Sequence, residues 1–109
     1  MQITFHSTGL TLTNAIKEIA AEKYARLDKI VGTLHDNPLV TVELSRTTHH
    51  HHKGKIFRAE VHMAMGRQSV YAAAESDDLY DSMDQSVAAI KKQILRIKES
   101  AVDNRKRDK

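Results

Sequence analysis

Residues 74–98 read AESDDLYDSMDQSVAAIKKQILRIK. Leu79, Tyr80, Met83, Val87, Ile90, Ile94 and Ile97 recur at spacings of three and four, the helical period. On a wheel of about 100° per residue they form one stripe. Asp77, Asp78, Asp81 and Asp84 lead the segment, and Lys91, Lys92, Arg96 and Lys98 close it. Acid at the amino end and base at the carboxyl end both suit the helix dipole. Lys92 and Arg96 fall far from the stripe, while Lys91 and Lys98 flank it. One face of this helix therefore needs cover, and its carboxyl-terminal half offers positive charge to a partner.

Moving outward, the residues before this helix alternate. Val70, Ala72 and Ala74 interleave with Ser69, Tyr71 and Ala73, which reads as a strand feeding the helix. Met65-Gly66-Arg67-Gln68 is a tight connection to a strand in which Phe57, Ala59, Val61 and Met63 alternate with Arg58, Glu60 and His62. Val40, Val42 and Leu44 alternate with Thr41, Glu43 and Ser45. Near the start, Ile3 and Phe5 alternate with Gln2, Thr4 and His6. After a turn at Gly9, Thr13 is an N-cap for a helix opening at Asn14. Ile16, Ile19, Ala20, Tyr24, Leu27, Ile30 and Val31 form its stripe, and Gly32 ends it. Its polar side carries Lys23, Arg26 and Lys29.

The order is β-α-β-β-β-α, in an α+β class. Both helices are one-sided and every strand alternates. The simplest packing is a two-layer sandwich, with both helices on one face of a four-stranded, largely antiparallel sheet. The last five elements have the order of a double-stranded-RNA-binding domain. Residues 1–100 form the domain. Residues 101–109, rich in charge, are expected as a flexible basic tail.

The chain has 109 residues, a net charge of +3 and no cysteine. That length fits one domain with its own core. The missing cysteines rule out a disulfide framework and fit a reducing compartment. No basic leader precedes an apolar run, and no stretch approaches the roughly 20 apolar residues of a membrane span. A cytoplasmic protein without a membrane partner is expected. The basic balance favours an anionic partner, nucleic acid above all.

Four consecutive histidines, His49, His50, His51 and His52, lie in an unpatterned loop over 47–55. Imidazole ligates metals, but consecutive loop residues rarely converge on one ion, and no cysteine or carboxylate cluster completes a shell. A loop that touches RNA fits better, beside the plain reading of solvated residues. No metal or cofactor is expected. No nucleophile elbow, phosphate loop or carboxylate pair appears, so neither an enzyme nor a small-molecule substrate is expected. Glu75, Asp77 and Asp78 are accounted for by the helix start. What remains is the cations. Each alone reads as a solvated charge. Two helices on the same side of a sheet, however, would bring Lys23, Arg26 and Lys29 beside Lys91, Lys92, Arg96 and Lys98. Such a patch binds phosphates with little base reading.

The residues resemble the ribosome hibernation-promoting factors, also called ribosome-associated inhibitor or ribosomal subunit interface proteins. Ala74-Glu75-Ser76-Asp77-Asp78-Leu79-Tyr80 is similar to that family's Ala-Glu-Gly-x-Asp-Met-Tyr. Ile90-Lys91-Lys92-Gln93-Ile94 resembles its Leu-x-Arg-Gln-Leu. Leu12 to Lys17 and Lys23 to Lys29 resemble the pattern of its first helix. The resemblance covers about residues 1–98. It implies a factor that occupies the messenger and transfer RNA channel of the small ribosomal subunit. Such a factor silences translation in stationary phase or stress, without chemistry. The cations of the two helices would be the ribosomal RNA contacts, on the subunit and on the whole ribosome. Ser76 in place of the usual Gly departs from the pattern, as does Ala88-Ala89 in place of Asp-Lys. The length and the basic tail favour a short form that relies on a separate ribosome modulation factor. The competing expectation is a protein-interaction regulator, for example of transcription, that uses the sheet face or the histidine loop and ignores ribosomes.

Overall fold

Alternation puts one apolar row on each strand, and pairing the strands merges those rows into a single surface. The computed structural model describes residues 1–47 and 56–107, with side chains described through 102. The strands are β1 (Gln2–Thr8), β2 (Leu39–Arg46), β3 (Phe57–Met65) and β4 (Gln68–Ser76). They lie in the order β1-β2-β3-β4. β1 and β2 are parallel, and the other two pairings are antiparallel. Register places Phe5 beside Val42, Val42 beside Val61 and Val61 beside Ala72. That cross-sheet row faces the helices.

A parallel pair needs a crossover, supplied here by α1 (Asn14–Ala25) and α2 (Leu27–Val31). The sequence predicts one helix from Asn14 to Val31. The structure interrupts it at Arg26, whose backbone stays right-handed (φ −59°, ψ −26°), so α2 follows α1 after a one-residue break. Thr13 caps α1 as expected, its hydroxyl accepting from the Ile16 N–H at 3.2 Å. Gly9 turns the chain out of β1 at φ +73°, and a Cβ there would stand 2.7 Å from the Arg46 carbonyl oxygen. Only glycine fits both conditions.

The long helix is α3 (Leu79–Arg107). Asp78 caps it, its Oδ1 accepting from the N–H groups of Tyr80 and Asp81 at 2.8 and 3.0 Å. Ser76, the departure from the family pattern, fits without strain. Its φ is not positive, and its hydroxyl accepts from the Asp78 N–H and donates to Asp81 Oδ2 at 2.7 Å. Tyr80, at the edge of the stripe, is exposed. The helix runs past residue 100 and through Arg107. Residues 101–107 contain no Gly or Pro, and cations near a helix carboxyl end suit its dipole.

Both helices cover the same face of the sheet. Tyr24, Leu27, Val42, Leu44, Val61, Met63, Met83, Ile90 and Ile94 are fully buried between the layers. Tyr24 joins three elements. Its ring lies 6.3 Å from the Phe5 ring, tilted by 59°. Its hydroxyl lies 2.8 Å from Ser86 Oγ. Ser86 gives its single proton to the Met83 carbonyl, which leaves Tyr24 as the donor.

β4 is an edge strand, and edges invite pairing with other chains. Gln93 of α3 seals it. Its amide oxygen accepts from the Tyr71 N–H at 3.2 Å, and its amide nitrogen donates to the Tyr71 carbonyl at 2.5 Å. One side chain thus stands in for a neighbouring strand. Gln93→Ala is expected to cost about 1 kcal/mol and to speed deuterium exchange of the Tyr71 amide about fivefold, with ribosome binding unchanged. An unaltered exchange rate would show that the seal contributes nothing.

Candidate nucleic-acid interface

Six of the seven cations singled out in the sequence divide into three sets, and the seventh, Lys98, bonds to the end of α2. Lys23, Arg26 and Lys91 line one groove of about 450 Å³ between α1–α2 and α3. Ile30, Val87 and Ala88 form its apolar walls, and Asp84 is its one acid. Packing α1 beside α3 creates this groove, because Lys91 lies on the flank of the α3 stripe that faces α1.

Lys29 and Lys92 are exposed and lie outside the groove lining. Lys92 follows Lys91 by one residue, about 100° around the helix, and adds charge to the outer surface of α3. Arg96 goes elsewhere. It lines a separate cavity of about 310 Å³ with Leu34, Gln68 and Ser100. Five residues separate it from Lys91, which on a helix is about 140° of rotation. The groove itself therefore holds three of the seven cations.

Two of the seven are engaged internally. Lys23 Nζ is 2.6 Å from Asp84 Oδ1, with side-chain exposures of 17% and 54%. Lys98 Nζ donates to the Ile30 carbonyl at 2.9 Å, a cation on the last turn of α2 where the dipole favours one. These bonds fix the spacing of the helices that carry Arg26 and Lys91. Sequence spacing gave no sign of either bond, since each joins residues more than 60 positions apart.

The opposite sheet face is open and polar. Arg58 is its hub, 2.9 Å from Glu60 and 3.0 Å from Glu75. Arg58 also donates to the Tyr71 hydroxyl at 3.3 Å, and that hydroxyl donates to Glu60 at 3.0 Å. The Glu60 contact raises the guanidinium pKa above its already high ordinary value. Tyr71, half exposed, is bound into this network, so it is no free platform for stacking bases of the kind single-strand RNA readers use. Among the described residues no group of three or more His, Cys, Asp or Glu side chains could hold a metal. His49, His50, His51 and His52 lie outside the described residues. No helix of the described residues is long and apolar enough to cross a membrane.

Comparison with known proteins agrees with this architecture. The N-terminal domain of Thermus thermophilus Protein Y is similar, with a TM-score of 0.74 and 28% identity over 89% of this chain and 99% of that one. A ribosomal subunit interface protein from Coxiella burnetii shares the fold, with a TM-score of 0.71 and 18% identity over 91% of this chain and 99% of that one. A search of curated proteins finds no match. Residues 2–101, nearly the whole described fold, match the family described as Sigma 54 modulation protein / S30EA ribosomal protein, and the chain belongs to that family.

Proposed function

We propose that the protein binds the small ribosomal subunit in the channel used by messenger and transfer RNA, and silences translation there in stationary phase or stress. Membership of the family makes it a ribosome-associated factor and not an enzyme. The finer reading rests on one observation, the groove that brings Lys23, Arg26 and Lys91 together from two helices. Cations spaced along a groove neutralise phosphates and release counterions, which needs no base reading and no reacting group. Residues 1–100 form the ribosome-binding unit, acting in the cytoplasm on ribosomal RNA of the subunit and the whole ribosome. Inhibition is steric, and any pairing of ribosomes falls to a separate modulation factor.

Sedimentation with purified small subunits across a salt series tests this. Co-sedimentation at low salt, lost steeply as salt rises, and matching repression of cell-free translation are expected. Retention of a protein partner at high salt, with ribosomes ignored, would replace this reading with that of an interaction regulator working through the Arg58–Glu60–Glu75 face.

A further inference from the structure

The groove that takes RNA in this reading holds a negative charge among its cations. Asp84 lines it together with Lys23, Arg26 and Lys91. Its Oδ1 accepts from Lys23 Nζ at 2.6 Å. Its carboxylate is more than half exposed, whereas Lys23 is mostly covered. Lys23 therefore directs its charge at Asp84 more than at solvent. Among the described residues, Oδ2 of Asp84 accepts no hydrogen bond. That leaves an exposed anionic acceptor facing a surface meant for anions.

Attraction alone would bind any polyanion alike. A fixed carboxylate changes this, because it repels a phosphate placed against it and accepts a hydrogen bond from a donor placed there. RNA carries such donors in its 2′-hydroxyls and base amino groups. Resting on the RNA-binding reading, we propose that Asp84 is a specificity-determining residue. It bars backbone phosphates from the Lys23 end of the groove and accepts a hydrogen bond from a 2′-hydroxyl or base amino group. The backbone is thereby confined to Arg26 and Lys91. Repulsion built into an attractive surface is a general route to discrimination.

The test compares Asp84→Asn with Glu18→Gln, which removes the same charge from an exposed site outside the groove lining. Each is titrated with isolated small subunits and with a short RNA duplex of arbitrary sequence, at equal ionic strength, with thermal unfolding measured alongside. Asp84→Asn should bind the duplex about fivefold more tightly, the Boltzmann factor of one unit-charge repulsion at about 4 Å in water. Its salt slope on duplex should steepen by about one. Its affinity for subunits should not rise, so selectivity falls. Asp84→Ser, which removes the carboxylate with a smaller side chain, should reproduce that fall. A selectivity ratio equal to that of Glu18→Gln would overturn the assignment while leaving ribosome binding intact. Failure of the unmodified protein to bind subunits would overturn the RNA reading and this inference together.

Discussion

Charge reversal at Arg26 and Lys91 together is expected to weaken binding to small subunits about a hundredfold near 0.15 M salt. Both side chains are exposed, and they face one groove from different helices. Each reversal removes a phosphate contact and adds a repulsion, and the salt slope should fall by about two. Arg96→Glu makes the sharper comparison. It changes the same charge on the same helix but sits about 140° away from Lys91, in a different cavity. It should cost no more than a few-fold. Thermal unfolding should be unchanged in all of these variants, because neither Arg26, Lys91 nor Arg96 bonds to another side chain among the described residues. Equal losses from Arg96→Glu and the paired reversal would mean that net charge, not the groove, governs binding.

Removing the Tyr24 side chain should have the largest effect on stability. Tyr24→Ala deletes a fully buried ring between β1, α1 and α3. Aromatic-to-alanine changes in cores cost about 3–5 kcal/mol, a large share of the stability of a domain this size. Tyr24→Phe keeps the ring and loses only the bond to Ser86. Ser86 keeps its bond to Met83, so the cost should be about 1 kcal/mol. The same pair separates a pH effect. Burial pushes the Tyr24 phenol up to about 12 from its ordinary value of 10.0. The folded state therefore holds a proton that the unfolded state releases as pH rises past 10. Stability from this group is fully present below pH 10 and is lost between about 10 and 12, by about 2–3 kcal/mol. Chemical denaturation of the unmodified protein should steepen over that window relative to Tyr24→Phe. Parallel curves would show that the phenol is not the titrating group.

The fold was legible because its signals are local and periodic. The stripe from Leu79 to Ile97 and the alternation of Val40, Val42 and Leu44 each report one buried face. The caps at Thr13 and Gly32 are likewise written in a few adjacent residues. The break at Arg26 was not legible, since neither Gly nor Pro marks it. Continuation of α3 past Ser100 is not legible because a charge-rich run has the composition of disordered sequence, although Arg and Lys are good helix formers. The candidate site was only half legible. Periodicity showed that both helices carry cations outside their stripes. It could not show which flank of α3 would face α1, so it does not separate Lys91 from Arg96, which line different cavities. The Lys23–Asp84 and Lys98–Ile30 contacts depend wholly on tertiary placement. Gln93 is the reverse case. The motif matched it by position, and the structure supplies its reason in the sealed edge at Tyr71.

The chain has no cysteine, so a single thiol can carry a tethered iron chelate that cuts nearby RNA. Ala88→Cys places it on the groove wall, and Thr41→Cys places it on the open sheet face. Each labelled protein is bound to small subunits, and the cuts in ribosomal RNA are mapped. If the groove between α1–α2 and α3 carries the RNA, the strongest cuts come from position 88 and fall along the messenger and transfer RNA channel. Strong cuts from position 41 with none from position 88 would contradict it.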